Sequence, residues 1–535
     1  MKNIKLYLIF SLLSSYCFPQ NSIEGIYISI PNNNVAIEEI IPYYDKGFYL
    51  ENIYYKSFSS GGNSWNIKTK ANIDFLWDNF VVHNSETPVG NVVKIDSVGC
   101  RYVGGALYGI GGTSTPLLVK YNQCGEQEWC VLLPKIGYGQ GLVIDFLINK
   151  HNEIIVALMY LNPNNPSFRD QAFLAAFTTQ GELLWENAYA SPLNHPLLRI
   201  PIVYQLDYVN NEYYMTGYCY YAYTSNPDRF ILTPLFVGID SLFNEKWILP
   251  FGNLMNFIGT GDASILINDT ILMGIGTKRG IGLDMFGVSM LYSTNGHIIS
   301  YEQLENELIY PVTVSTQFRN IEIINETHFV INGFYEPVYN SFFNMEFVID
   351  TKCSLHRYQP RPNAIGLSSL IKTSDNNFIV GTSYGVGNAL RKGLVYKFDE
   401  NLQSVPFDST TYVYDSLCPY PIQSGTIDLS DCMVLTSTDW IPTPKEYYAS
   451  ISAIPITIYP NPAKDQITFT FENTEHHKNI ELRCFNLLGV LQHQIKVQRG
   501  QQQYSANIKN WAPGIYIAVV YSDGKPVGRG KFVVQ

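Results

Sequence analysis

The chain has 535 residues, more than one hydrophobic core usually supports, so we expect at least two domains or a repetitive architecture. Aromatic residues make up 14% and charged residues only 15%, a balance typical of β-rich exported proteins and unlike that of a disordered chain. The formal charge is -11 in total, of which residues 21–455 carry -17 and the residues from Ile456 onward carry +4. An acidic body argues against nucleic acid as a partner because phosphates require a basic surface.

The first twenty residues, 1–20, are predicted to be a signal peptide. Lys2 and Lys5 give a positive start, the run Leu6–Leu13 is apolar, and small residues follow. This run is too short to span a membrane, and no later stretch reaches the roughly 20 apolar residues that a spanning helix needs. We expect cleavage between Cys17 and Gln20 and no transmembrane segment in the mature chain. A buried N-terminal strand is the alternative.

A polar turn followed by an apolar strand recurs about every 50 to 60 residues. The eight instances begin at Gly47, Arg101, Glu153, Glu212, Thr270, Thr327, Asn377 and Asp431. Each follows an apolar strand across a hairpin turn, and two more strands come after it, which gives four short strands per repeat. A four-stranded unit of this size cannot bury both faces alone, so neighbouring units must stack, as in a β-propeller.

The repeats predict an all-β fold in which a β-propeller of seven or eight blades spans residues 21–440. Seven complete repeats lie between Ile37 and Phe407, and the eighth, Thr426–Thr438, has only one hairpin. Either seven blades carry an added hairpin, or the N-terminal strand Gly25–Ile30 completes an eighth blade. Two β-sandwiches with an accidental period are the alternative to a propeller.

Two repeats end in Gly-x-x-x-Trp, at Gly125–Trp129 and Gly181–Trp185, and a third ends at Trp247. This ending loosely resembles the repeats of quinoprotein-like propellers, in which the Trp packs between blades. The adjacent cysteines of the quinone dehydrogenases are absent from the sequence, so we expect no cofactor. The Trp side chains are predicted to serve packing.

Eight of the nine cysteines remain once Cys17 leaves with the signal peptide, and an oxidising periplasm permits disulfides. Cys124 with Cys130, and Cys418 with Cys432, are close enough in sequence to suspect as pairs. Free buried thiols are the alternative. The sequence has no CxxC motif and no Cys/His metal spacing, so we expect no metal site.

Residues 441–455 hold several prolines and no clear period, which is typical of a linker. From Ile456 the chain predicts a small sandwich of seven strands. Pro460 and Pro462 set a rigid turn before the alternating strand Gln466–Phe471, and Leu488–Gly489 lies at a hairpin turn. Further turns are predicted at Pro513–Gly514 and Asp523–Gly524.

Residues 456–535 resemble the type A C-terminal sorting domain of the type IX secretion system, found on proteins that Bacteroidetes export across the outer membrane. The resemblance is carried by Tyr459, Pro460, Asn461, Pro462, Ala463, Asp465, Gly489, Gly514, Tyr516, Lys531 and Phe532. It implies an immunoglobulin-like β-sandwich that the secretion machinery recognises after the chain crosses the inner membrane. It also implies a protein that is secreted or held at the outer-membrane surface. An immunoglobulin-like appendage that binds nothing is the alternative.

The sequence of the body contains no motif for a particular chemistry. The nine histidines have no metal-ligand spacing outside the adjacent pair His476–His477, and no nucleophile elbow, Walker loop, dinucleotide fingerprint or calcium loop occurs. Asp145, Asp207 and Asp262 fall near the predicted innermost strands, where carboxylates from different blades can converge. The aromatic run Tyr218–Tyr223 is a candidate for stacking on sugar rings, with strand packing as the alternative.

We therefore expect a non-enzymatic exported propeller that binds a carbohydrate or protein ligand. The alternative is a secreted enzyme that degrades polysaccharide or peptide at the propeller axis. Clustered carboxylates or a metal at the axis favour the enzyme, whereas aromatic and neutral polar groups favour the binding protein. The fold alone does not decide, because propellers host both functions.

Overall fold

The computed structural model describes residues 25–535 apart from 56–61, 85, 110–111, 162–169, 189–197, 224–225, 250–257, 280–284, 304–314, 339–340, 362, 386–389, 419, 421–423, 436–440, 453–455, 472–478, 488, 499 and 523. The predicted signal peptide and His476–His477 lie outside the described residues. The chain divides into a body, residues up to 183 and 188–440, and a C-terminal module, residues 184–187 and 441–535.

The described part of the body contains seven consecutive units of four antiparallel strands, numbered here units 1 to 7. The first described strand is β1 (Ile26–Ile28). Unit 1 consists of β2 (Asn34–Pro42), β3 (Phe48–Tyr55), β4 (Asn63–Thr69) and β5 (Phe75–Val82). Unit 2 consists of β6 (Thr87–Ile95), β7 (Arg101–Tyr108), β8 (Ser114–Tyr121) and β9 (Gln127–Leu132). Unit 3 consists of β10 (Gln140–Ile148), β11 (Glu153–Leu161), β12 (Asp170–Thr178) and β13 (Leu183–Ala188).

Units 4 to 6 repeat this order. Unit 4 consists of β14 (Leu198–Val209), β15 (Glu212–Tyr223), β16 (Asn226–Ile239) and β17 (Glu245–Leu249). Unit 5 consists of β18 (Ile258–Asn268), β19 (Ile271–Arg279), β20 (Met285–Ser293) and β21 (Ile298–Gln303). Unit 6 consists of β22 (Ser315–Asn325), β23 (His328–Val338), β24 (Ser341–Asp350) and β25 (Leu355–Arg361).

Unit 7 takes its fourth strand from the N-terminal end of the body. Its own strands are β26 (Ala364–Lys372), β27 (Phe378–Tyr384) and β28 (Lys392–Phe398). Strand β1 pairs antiparallel with β28, so that Ile26 lies opposite Val395. The N-terminal strand therefore completes the seventh unit, and the predicted alternative in which it completes an eighth blade is wrong.

Two features of the sequence explain why these strands form. The second strand of each unit is buried on both faces, as in β7 and β11, so it reads as a continuous apolar run. In six hairpin turns one Asp or Asn side chain accepts hydrogen bonds from the N–H groups two and four residues later, which fixes the turn. The accepting residues are Asp96, Asn122, Asn149, Asp240, Asp350 and Asp399.

The first strands of the seven units form a ring. Each first strand contacts the first strand of the next unit, and β26 of unit 7 contacts β2 of unit 1. Every first strand has a β-bulge or irregularity where its pairing register shifts, and a bulge turns a side chain in a new direction. The extra residues include Glu38, Asn91, Ile144, Tyr204, Asp262 and Arg319 in units 1 to 6, and residues 366–368 in unit 7.

Trp side chains join neighbouring units at their outer strands. The indole N–H of Trp129 in unit 2 donates to the carbonyl of Thr179 in unit 3 at 3.0 Å, and a Cβ added to Gly181 would lie 2.9 Å from the indole ring. Trp247 of unit 4 contacts the turn of unit 5 at Gly296 in the same way. The predicted packing role is thus confirmed for Trp129 and Trp247.

The segment after unit 7 crosses the outer edges of units 1 and 2, and we call residues 408–435 the strap. Its strand β29 (Gly425–Asp428) pairs parallel with β5, and β30 (Met433–Val434) pairs parallel with β9. The eighth repeat is therefore no hairpin, because its two strands pair with different units. The predicted hairpin is wrong because a short apolar stretch has the same sequence pattern whether it pairs with the neighbouring strand in the chain or with a distant one.

Two disulfides hold the strap against unit 2, and both differ from the suspected pairs. Cys124 is bonded to Cys418 and Cys130 to Cys432, with sequence separations of 294 and 302 residues. The strap brings each cysteine beside a partner from a distant part of the chain, so proximity in sequence was the wrong guide. Cys100, Cys219, Cys353 and Cys484 are free and buried.

The C-terminal module begins with a helix where a linker was predicted. Helix α1 (Pro444–Ser452) starts at a capping box in which the Glu446 N–H donates to the Thr443 hydroxyl at 3.3 Å and the Thr443 N–H donates to the Glu446 carboxylate at 2.8 Å. Pro444 occupies the first helical position, where its missing N–H has no cost. The helix signal was present in the sequence, although the prolines were interpreted as a linker.

Seven strands in two sheets make up the described residues from Ile456 onward. One sheet has the order β31 (Ile456–Tyr459), β32 (Gln466–Phe471), β35 (Gln503–Asn507). The other has the order β34 (Leu491–Val497), β33 (Ile480–Asn486), β36 (Gly514–Ser522), β37 (Lys525–Val534). Buried residues of both sheets form one apolar cluster, which includes Phe469 and Phe532. Among the described residues, no helix is long and apolar enough to cross a membrane.

Candidate functional site

A cavity of about 420 Å³ lies inside the ring of first strands, and all seven units contribute to its lining. One extra bulge residue from each of units 1 to 6 lines it. We call it the axial cavity. Of the three carboxylates considered from the sequence, Asp145 and Asp262 line it, whereas Asp207 is absent from the lining and bonds to the lining residues Ser264 and Gln205.

Three polar side chains of the cavity wall connect neighbouring units. The carboxylate of Asp145 accepts the N–H of Leu206 in the next unit at 2.8 Å, and Gln205 accepts the N–H of Ser264 at 2.9 Å. Glu39 accepts the N–H of Val93 in the same manner. These side chains hold the units together, because each satisfies a backbone group of its neighbour.

Lys94 is bound into this wall by carboxylates. Its ammonium lies 3.4 Å from Asp145. Burial alone would lower the pKa of Lys94, but the carboxylates of Asp145 and Glu39 outweigh that effect and raise the pKa above its ordinary value. Lys94 therefore stays charged and offsets part of the buried negative charge.

Asp262 and Arg319 face each other across units 5 and 6. Asp262 is 8% exposed, its Oδ2 accepts the hydroxyl of Thr277 at 2.9 Å, and its Oδ1 lies 3.7 Å from Nη1 of Arg319. Oδ1 accepts no hydrogen bond from the described residues. Burial raises the pKa of Asp262, and the charge of Arg319 opposes this rise. Burial also raises the pKa of Asp207 to about 6.

Glu38 differs from the other lining carboxylates because it makes no hydrogen bond or ion pair with any described residue. It is half-buried, and its side chain lines the axial cavity. Burial raises the pKa of Glu38 to about 7. Burial has the same effect on Glu39 and on Glu322, which lies near Lys372. An unpaired carboxyl of this kind carries a proton for part of the time near neutral pH.

Sequence reasoning missed five charged residues of the cavity: Glu38, Glu39, Lys94, Arg319 and Glu322. The repeat that is visible in the sequence lies in the second strands, which do not line the cavity. An alignment of the first strands would place Glu38, Asp262 and Arg319 at the same position as the other bulge residues. Charged residues at that shared position are the sequence signal for the cavity.

The aromatic run Tyr218–Tyr223 contributes to the cavity only indirectly. The ring of Tyr218 packs against Tyr204 with centroids 5.5 Å apart, and Tyr204 lines the cavity. The side chains of Tyr220–Tyr223 lie outside the described residues. In the part of the chain that the structure describes, no three His, Cys, Asp or Glu side chains are grouped as metal ligands.

In the C-terminal module, the predicted motif residues meet at the C-terminal end of β37. The side-chain Nδ2 of Asn461 donates to the carbonyl of Lys531 at 3.2 Å, and its Oδ1 accepts the N–H of Val533 at 2.9 Å. The buried Ala463 donates its N–H to the carbonyl of Val533 at 2.8 Å. Gly514 pairs with Val534 on the other side of β37. Tyr459, Pro460, Pro462 and Lys531 surround this junction and are exposed.

Tyr516 and Phe532 form the aromatic core beside this junction. Their rings stack at 5.6 Å, and Phe469 and Trp511 pack against Phe532. Asn486 lies opposite Tyr516 in the sheet, which brings the hairpin turn of Gly489 to the same end of the module. Gly489 has φ +76°, as the predicted turn requires.

The side chain of Asp465 is exposed, and its backbone carbonyl accepts the N–H of Ile508 at 2.9 Å.

The model of the secretion system C-terminal sorting domain family matches residues 457–535. The C-terminal module carries a secretion system C-terminal sorting domain. The protein is therefore exported by the type IX secretion system to the cell surface or the extracellular space, and the secretion machinery is the partner of the sorting domain.

The exposed face of the sorting domain has two kinds of group next to the motif. Arg529 and Lys531 are exposed on β37. Leu487, Val490 and Leu491 at the Gly489 turn are 65%, 52% and 45% exposed. The end of the sorting domain that holds the motif thus presents both basic and apolar side chains.

Comparisons of the whole chain give distant likenesses in structure. No curated protein matches the sequence. The chain is similar to prolyl oligopeptidase B from Galerina marginata, with TM-score 0.40, 9% identity, 84% of this chain covered and 57% of that chain. It is also similar to the β-propeller domain of the Trilobed protease from Pyrococcus furiosus, with TM-score 0.38, 7% identity, 70% of this chain covered and 100% of that chain.

A third likeness is to an endo-arabinase from Bacteroides thetaiotaomicron, with TM-score 0.30, 8% identity, 50% of this chain covered and 94% of that chain. The chain thus spans little more than half the length of the oligopeptidase. Propellers are among the neighbours of this all-β chain, but scores this low say nothing about activity. The function must be argued from the axial cavity.

Proposed function

We propose that the body is a closed seven-bladed β-propeller that binds a small polar ligand in its axial cavity outside the cell. In this proposal the propeller spans residues 21–440 and is delivered by an immunoglobulin-like sorting domain, residues 456–535. The single observation that carries it is the cavity to which all seven units contribute. The ring of first strands and the pairing of β1 with β28 support the closure.

The size of the cavity favours a small ligand. Small-molecule sites commonly enclose about 300 to 1,000 Å³, and the axial cavity of about 420 Å³ falls within that range. Asn91, Tyr204, Gln205 and Asn320 supply neutral polar groups in its wall. Such groups orient a ligand by hydrogen bonds at a moderate desolvation cost.

Binding is favoured over catalysis because three of the five lining carboxylates already have structural partners. Glu39 and Asp145 connect neighbouring units, and Asp262 is held by Thr277 and Arg319. A secreted hydrolase or lyase acting on polysaccharide or peptide remains the second candidate. The observation in its favour is Glu38, since a carboxyl with a pKa of about 7 is suited to general acid catalysis.

A ligand screen on the full-length exported protein tests the proposal. Thermal unfolding is measured with sugars, amino acids, amines and organic acids, because a ligand at a hundred times its Kd stabilises a protein by about 2.7 kcal/mol. Asn91→Trp fills the cavity, whereas Gln180→Trp adds the same side chain to an exposed turn. We expect a ligand that stabilises the wild type and Gln180→Trp but not Asn91→Trp.

One result would exclude the axial cavity as the site, and another would distinguish a binding protein from an enzyme. If every stabilising compound acts equally on Asn91→Trp, the axial cavity is not the site. If chromatography after incubation shows that a stabilising ligand has been cleaved, the body is an enzyme. Recovery of the intact ligand supports a binding protein.

A further inference from the structure

The charges that line the axial cavity do not balance. The lining carboxylates are Glu38, Glu39, Asp145, Asp262 and Glu322, and the lining cations are Lys94 and Arg319. Each cation already lies beside a carboxylate: Lys94 is 3.4 Å from Asp145, and Arg319 is 3.7 Å from Asp262. Among the described residues, the wall therefore carries a surplus of three acidic groups.

Two carboxylates in this surplus region have oxygen atoms that accept no hydrogen bond from a described residue, although Oδ1 of Asp262 lies 3.7 Å from Arg319. Glu38 is the extra residue of the bulge in β2 and makes no hydrogen bond or ion pair with a described residue. Asp262 is more than nine-tenths buried, and its Oδ1 accepts no hydrogen bond. A buried carboxylate that lacks a partner costs free energy, and this cost is removed when a cationic or hydrogen-bonding group binds to it.

We propose that the axial cavity recognises a ligand that carries an ammonium or guanidinium group, which pairs with Glu38 and is attracted by the surplus negative charge of the wall. The inference rests on the proposed function of the body and names the class of its ligand. A cavity lined by charges of one sign attracts an opposite charge more strongly than an open surface does, because its protein walls focus the electric field. Tyr204, a bulge residue like Glu38, also lines the cavity.

The alternatives fit the wall less well. An anionic ligand needs a free cation, but Lys94 and Arg319 both lie beside carboxylates. A metal ion needs several converging ligands, and the described residues contain no group of three. A neutral ligand leaves the charge of Glu38 unpaired.

Binding of small probes to the full-length exported protein tests this inference. Agmatine and putrescine are the cationic probes, butane-1,4-diol is a neutral probe of similar length, succinate is the anionic probe, and calcium chloride tests a metal ion. Isothermal titration calorimetry is performed on the wild type, Glu38→Gln, Glu38→Asp and the control Glu182→Gln. Glu182 lies in an exposed turn, so the control makes the same chemical change outside the cavity.

We expect agmatine or putrescine to bind and the diol and succinate not to bind. Glu38→Gln should weaken cation binding at least about tenfold, a loss of roughly 1.4 kcal/mol. Glu38→Asp should retain part of the affinity, and Glu182→Gln should equal the wild type. Circular dichroism confirms that Glu38→Gln is folded.

Three results overturn the inference: neither cationic probe binds, Glu38→Gln binds them as well as the wild type, or calcium chloride alone binds. The proposed function fails separately, since it is decided by the broader screen with Asn91→Trp. A sugar or organic acid that stabilises the wild type but not Asn91→Trp would keep the cavity as the site and refute a cationic ligand.

Discussion

The side-chain amide of Asn461 bonds to the two backbone groups that flank Phe532 on the last strand, since it donates to the carbonyl of Lys531 at 3.2 Å and accepts the N–H of Val533 at 2.9 Å. Residues 70 positions apart are thus joined by one side chain. The relationship explains why the sorting motif has one part near the start of the domain and another at its C-terminal end. The two parts form a single structural junction.

Replacing Asn461 should loosen this junction. Asn461→Ala removes both hydrogen bonds, each worth about 1 kcal/mol, whereas Asn461→Asp keeps the acceptor for the Val533 N–H and loses only the donor. We expect faster amide hydrogen exchange at Val533 in Asn461→Ala and near-normal exchange in Asn461→Asp. Unchanged protection in Asn461→Ala would show that the bond from Ala463 to Val533 holds the strand alone.

The contact between Trp129 and Gly181 should make a measurable contribution to the stability of the body. Gly181→Ala places a Cβ 2.9 Å from the indole ring at φ +84°, whereas Gly137→Ala introduces the same change at φ +87° with no atom within 4 Å. Both variants bear the cost of a positive φ, so the difference between them measures the contact. We expect Gly181→Ala to lose about 1 to 3 kcal/mol more in chemical unfolding. Equal losses would mean that the indole moves aside freely.

The strand pattern was predictable because its causes are local. Strands such as β11 are buried on both faces and therefore consist of a continuous run of apolar residues. The Asp and Asn side chains that close the turns recur with the same spacing. The motif of the sorting domain was recognisable for a related reason, since Asn461, Tyr516 and Phe532 each have one geometric role.

The axial cavity was not predictable in the same way. Glu38 and Arg319 face it because a bulge adds one residue to their strands, and no local pattern marks a bulge. The disulfides were missed because Cys124 and Cys418 meet only after seven units have been placed. Such features depend on how the units assemble, and the sequence records the cavity only through the shared position of the bulge residues in an alignment of the first strands.

The two disulfides should stabilise the body by fixing the strap. Serine at Cys124, Cys418, Cys130 and Cys432 together should lower the free energy of unfolding, since removing a single native disulfide typically costs about 2 to 5 kcal/mol. Thermal unfolding with and without reductant checks this. The wild type should lose stability in reductant, and the fourfold variant should not respond. A wild type insensitive to reductant under unfolding conditions would contradict the pairing.

The cavity carboxylates should make the stability of the body depend on pH. Burial raises the pKa values of Glu38, Glu39 and Glu322 to about 7 in the folded protein, from 4.5 for an ordinary Glu. The folded state therefore holds these protons more tightly, and stability present below about pH 4.5 is lost as the pH rises through 7. Without ligand, we expect the melting temperature of the body to fall between pH 5 and pH 8.

Glu38→Gln isolates one part of this dependence. At pH 8 it should raise stability by about 1 to 3 kcal/mol, and at pH 5 it should change little. The groups that interact electrostatically with Glu38 are Glu51, Tyr55 and Tyr108, and none of them is altered by the substitution. Calorimetry at the two pH values gives the result. A variant that is no more stable than the wild type at pH 8 would show that Glu38 already has a partner there.

Deleting Ile456–Gln535 should leave the protein in the periplasm, because the residues that the secretion machinery recognises lie in the sorting domain. Cell fractionation and protease treatment of intact cells locate the protein. The full-length chain and Glu182→Gln, which changes an exposed residue of the body, serve as controls for expression and export. Formation of the two disulfides in the truncated body shows that it has folded in the periplasm, so its retention then reflects the missing sorting domain. Surface delivery of the truncated chain would mean that the body carries a second export signal.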